Sequence, residues 1–98
     1  MEKEIENYLD DLGRIKQWPS KWSIKAKVLT YLSTKFEDEV QYSESEVNEI
    51  LKKWHTFNDY FILRRGLIDI GLFKRQADGS RYWKNPKKSG SEDSSQDV

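Results

Sequence analysis

The chain has no cysteine. Disulfides, thiolate catalysis and cysteine-ligated zinc are therefore excluded, and a reducing compartment, the cytoplasm, is the expectation. A single histidine cannot supply the imidazole pairs that most metal centres use. No apolar run reaches the roughly 18 residues that a membrane-spanning helix needs. The acidic start MEKEIENYLDDLG is unlike a secretory leader, and no membrane partner is expected. A Gly-rich phosphate loop, a nucleophile elbow and internal repeats are missing as well. The expectation is a protein that is not an enzyme, with no cofactor and no metal.

The chain also lacks a charge excess, with 17 basic and 17 acidic residues in 98. The charges are nevertheless segregated. Residues 1–12 carry five acids and one lysine, and residues 13–27 carry five bases and no acid. Residues 28–57 carry six acids and three bases, and residues 58–88 carry eight bases and three acids. Segregation of this kind can build a local positive field, or it can simply solvate the surface.

Ninety-eight residues make one domain with one modest core, because a chain of this size buries only about 60% of its unfolded surface. Apolar spacing predicts the elements. Ile5, Tyr8, Leu9 and Leu12 recur at helical intervals, so residues 2–12 read as a short amphipathic helix ending at Gly13. RIKQWP reads as a short extended piece before Pro19. Ile24, Val28, Leu29, Leu32 and Phe36 predict a helix from Ser20 to about Phe36. An extended segment follows around Gln41 and Tyr42. SESEVNEILKKWH then opens a second helix, with Ser43 and Glu46 in capping-box spacing. Asn58 or Asp59 caps a third helix to about Ile70, with Gly71 as its stop. Gly66 inside that helix costs about 1 kcal/mol relative to alanine, which a close packing partner would explain. Asp78-Gly79 between two short runs, Leu72–Arg75 and Arg81–Lys84, is a hairpin signal. Beyond Pro86 the residues are almost all polar, so 87–98 read as a disordered tail. The domain itself spans 13–86, with 1–12 as an N-terminal helical extension.

The fold class is therefore α+β and mostly helical: three core helices, a C-terminal β-hairpin and an extra N-terminal helix. This is the element order of a winged helix-turn-helix, whose last helix enters the DNA major groove while the hairpin wing lies on phosphates. GRIKQWPSK, YSESEVNEILKKWH and LRRGLIDIGLFKRQADGSRYWK resemble the family known as domain of unknown function 2087. That family occurs in prokaryotic and phage proteins, alone or attached to transcriptional regulators. The resemblance spans about Gly13 to Lys84 and implies a small helix-turn-helix-like fold and a link to transcription. It implies no activity. Gly66 departs from the pattern, in which a larger residue is usual.

The candidate nucleic-acid-binding residues are Arg64, Arg65, Lys74, Arg75, Arg81 and Lys84. Arg64 and Arg65 project about 100° apart, so they flank the apolar stripe of the third helix rather than share one direction. Each could reach a phosphate or a guanine edge, or stay within the fold, Arg65 with Asp69 at i, i+4. Lys74, Arg75, Arg81 and Lys84, with Lys87 and Lys88 beyond, would give a basic wing with steep salt dependence. They could equally be a solvated, edge-protecting set. Thirteen aromatics are too many for this core, so one or two of them could stack on bases or anchor a protein. Trp18 reads as a clasp over the helices, and His55 as an ordinary helix-end residue.

Two functions follow as expectations. The first is a small DNA-binding winged-helix protein, a transcriptional or phage regulator acting on double-stranded DNA, with a homodimer as a partner option. The alternative is a protein–protein interaction module on the same scaffold that does not bind DNA.

Overall fold

Ser43 sets the start of the second helix as its spacing predicts. Its hydroxyl accepts the Glu46 amide at 3.1 Å, and the Glu46 carboxylate accepts the Ser43 amide at 2.8 Å. These two bonds satisfy donors that a helix start would otherwise leave open. The computed structural model describes residues 2–86; the predicted tail over 87–98, with Lys87 and Lys88, lies outside the described residues. The helices are α1 (Trp22–Ser33), α2 (Glu44–Lys53) and α3 (Tyr60–Asp69). The hairpin strands are β1 (Phe73–Arg75) and β2 (Tyr82–Lys84), antiparallel, with Phe73 opposite Lys84 and Arg75 opposite Tyr82. The α+β class, three helices and a terminal hairpin are as expected. No helix among the described residues is long and apolar enough to cross a membrane.

The N-terminal expectation is corrected. Residues Glu2–Tyr8 form a 3-10 helix instead of an α-helix over 2–12. The chain leaves it at Leu9, which bridges antiparallel to Ile15. The Asp10 carboxylate accepts the Leu12 and Arg14 amides and fixes the turn between them. Gly13, at φ 78°, sits in that turn, not at a helix end. Leu12, predicted to face inward, is 70% exposed. The turn side chain and the Leu9–Ile15 bridge outcompete the helical spacing of a few apolar residues, because a lone short helix is marginal.

The core is one cluster. Val28, Leu29 and Leu32 of α1 meet Val47 and Leu51 of α2 and Leu63 and Leu67 of α3. Each fully buried aliphatic side chain stabilises the fold by about 1.5–3 kcal/mol. Phe36 lies past the end of α1 but is buried, edge-on to Tyr42 and Phe73. Tyr42 exchanges both backbone hydrogen bonds with Tyr82 at 2.8 Å, so the expected extended segment is reduced to a single bridge beside β2. Ile15 forms a second arm, bridging parallel to His55.

His55 is buried between α2 and α3. Its Nε2 accepts the Asp59 amide at 2.8 Å, so Nδ1 carries the proton and donates to the Leu51 carbonyl at 2.6 Å. It thus holds the turn in which Asn58 adopts φ 58° and Asp59 caps α3 through the Ile62 amide.

Gly66 has a packing reason. A Cβ there would lie 3.0 and 3.2 Å from the two methyls of fully buried Leu29, so α3 approaches α1 closely at this point.

Candidate functional site

The six candidate cations do not share one surface. Strand alternation divides the hairpin set: Phe73, Arg75, Tyr82 and Lys84 lie on one face and Lys74 and Trp83 on the other. Lys84, with its side chain 12% exposed, pairs with Asp38 at 3.1 Å and donates to the Phe36 carbonyl at 3.2 Å. It ties the hairpin to the loop after α1. Lys74 and Arg81 are exposed. Arg75 is also exposed and donates to the Gln76 and Ala77 carbonyls of its own turn.

The arginine pair divides in the same way. Arg64 is 14% exposed; it donates to the Asn48 side chain at 2.5 Å and pairs with Glu44 at 3.5 Å. Its guanidinium also lies near the rings of Phe61 and Tyr60. It therefore joins α3 to the start of α2. Arg65 points outward, 68% exposed, and makes a loose 3.7 Å pair with Asp69.

Between α3, the start of α2 and the hairpin turn lies a cleft of about 490 Å³. Arg64, Arg65 and Arg75 line it together with Glu44, Asp69 and Asp78. Three guanidiniums thus face three carboxylates, and the formal charges of the cleft lining cancel. The Asp78 carboxyl is held below its ordinary range by hydrogen bonds from Ser80, side chain first and amide second, with Arg75 adding a smaller electrostatic contribution.

A second hollow, of about 450 Å³, lies on the other flank of α3. Trp18, Trp22, Phe61 and Ile62 form its apolar part. Trp22 and Phe61 are 56% and 54% exposed, which is unusual for residues of this size. Lys25, Asp59, Arg65 and Asp69 form its rim, with Gly66 in its floor. Trp18 stands against the helices with the Lys25 ammonium 5.7 Å above its ring. Pro19 after it is fully buried, which holds this segment against the body of the domain. Trp22 is exposed as the first residue of α1, about two turns before the buried Val28, Leu29 and Leu32.

Sequence reasoning missed one cluster. Lys35 lies 4.1 Å from the Trp54 ring centre and 4.6 Å from that of Tyr31, whose hydroxyl donates to the Gly13 carbonyl. The i, i+4 spacing of Tyr31 and Lys35 was readable, whereas the approach of Trp54 and Gly13 was not.

A family model described as an uncharacterized protein conserved in bacteria (DUF2087) matches residues 14–84. Comparison with curated proteins and with solved structures gives no match. The matched segment runs from the Ile15 arm to the last residue of the hairpin and takes in all three helices, so the chain belongs to the DUF2087 family.

Proposed function

We propose that this domain is a protein-interaction module that docks through the hollow beside α3. The observation that carries this reading is the pair Trp22 and Phe61, both more than half exposed across one apolar depression. Large aromatics of this kind are the usual anchors of protein interfaces, because they bury much apolar area at little cost in side-chain entropy. A rim that carries both signs of charge fits a protein surface better than a polyanion.

The test places a photo-crosslinking residue at position 61 and, in a second protein, at Lys53, an exposed residue on the far side of α2. Protein adducts forming at 61 and not at 53 are the expected result. Adducts forming equally at both, or at neither, would end this reading.

A second reading has its own support. The chain order α1, single bridge, α2, α3, hairpin is that of a winged helix, and α3 presents Arg65 while the hairpin presents Lys74, Arg75 and Arg81 to solvent. On this reading the domain binds double-stranded DNA as a regulator, with these four cations on phosphates and base edges. Arg64 and Lys84, held by carboxylates of the same chain, drop out of the contact set. Affinity for random-sequence duplex DNA should then fall steeply with salt and weaken in Arg81→Glu. Absence of binding at low salt, or binding that ignores salt, removes this reading.

A further inference from the structure

The hollow beside α3 has a charge pattern that narrows its partner. Its rim holds two cations, Lys25 and Arg65, and two carboxylates, Asp59 and Asp69, around Trp18, Trp22, Phe61 and Ile62. A partner of one sign would meet two like charges here. A surface facing its own copy is different. In a two-fold contact every residue of the patch meets a residue of the same patch, so a single-sign rim repels itself and a balanced one does not. We propose that the occupant is a second copy of this chain, seated face to face across the two-fold, each Trp22 and Phe61 packed into the other's hollow. This rests on the protein-docking reading and specifies its partner.

The charged groups are placed to change partners. Arg65 and Asp69 are 68% and 56% exposed and held to each other only at 3.7 Å. Reaching across the interface therefore sacrifices a weak solvated pair. Asp59 uses Oδ1 on the Ile62 amide at 3.3 Å, which leaves its other oxygen for a cation of the second copy. Phe61, Arg65 and Asp69 follow one another at i, i+4 and i+8 along α3. The contact would thus run along the helix and cover the face that the DNA reading needs.

Sedimentation of the intact chain from low to high micromolar concentration tests this. The expected result is a rise from one to two chain masses, accompanied by a blue shift of tryptophan emission. Trp22→Glu and Phe61→Ser should both stay monomeric with unchanged far-UV circular dichroism. Charge reversal gives the second arm and does not depend on those variants folding well. Arg65→Glu leaves a rim with net charge of one sign and Asp69→Lys leaves one of the other. Each alone should be monomeric, and an equimolar mixture should restore the dimer. A dimer that survives Trp22→Glu and both reversals would overturn the proposal. So would a wild type that stays monomeric at every concentration. In that case the position-61 crosslink separates the two claims. Adducts heavier than two chains keep the docking reading and reject the second copy, whereas no adduct at all rejects both.

Discussion

Single side chains in this domain act mostly as ties between elements. Arg64 binds α3 to α2 through Asn48 and Glu44, Lys84 binds the hairpin to the loop after α1, and His55 bridges α2 to the cap of α3. His55→Ala removes both ring hydrogen bonds and leaves the Asp59 amide unpaired in a partly buried turn. A loss of about 1–3 kcal/mol is expected, read from urea unfolding midpoints. Gly66→Ala sets two effects against each other. Helix propensity favours alanine by about 1 kcal/mol. Overpacking against fully buried Leu29, whose two methyls must each give by a few tenths of an ångström, costs about 1–3 kcal/mol. The expected outcome is a net destabilisation of about 1 kcal/mol, measured by the same method; a stabilised variant would mean that α1 and α3 can separate at no cost.

Among the elements, α2 and the hairpin were the most legible in sequence, because each is fixed by local chemistry. Ser43→Ala removes the acceptor of the Glu46 amide, and a loss of about 1 kcal/mol is expected. The hairpin turn depends on Gly79 at φ 76° and on Asp78, whose carboxylate accepts the Ser80 amide at 2.9 Å. Because the Asp78 carboxyl is held below its ordinary value of 3.8, the folded turn favours the ionised form. Its contribution is present above that ordinary value and disappears as pH falls through the lowered one. Titration below about pH 4 should shift the Ser80 amide resonance in step with Asp78, and Asp78→Asn should abolish the shift. The N-terminal segment was the least legible. Its four apolar residues carry helical spacing, yet the pairing of Leu9 with Ile15 and the turn at Asp10 decide its shape, and both involve residues outside the assumed helix.

At the scale of the whole fold, the six candidate cations are split between paired and solvent-exposed positions rather than gathered on one surface. The basic residues of α3 and the hairpin are divided by strand alternation and by the different burial of Arg64 and Arg65. A difference in mutational response should follow. Lys84→Ala breaks a pair that is largely shielded on the lysine side and leaves the Phe36 carbonyl without that donor, so a loss of about 1 kcal/mol is expected. Lys74→Ala and Arg81→Ala, both exposed, should change thermal stability by no more than about 0.5 kcal/mol. Equal losses at all three positions, measured by thermal unfolding, would show that exposure is not what separates them.

The sequence by itself determined the three helices, the capping box, the hairpin with its glycine, and the apolar set of the core. These depend on residue spacing and on bonds between near neighbours, which the order of residues specifies directly. Only the tertiary structure decided which cations meet a carboxylate and which tryptophan stays in water. Arg64 and Glu44 are twenty positions apart and Lys84 and Asp38 forty-six, and Trp22 reaches its place beside Phe61 only when α1 packs on α3. Charge pairing and aromatic exposure depend on distances through space, and those exist only after the core has closed.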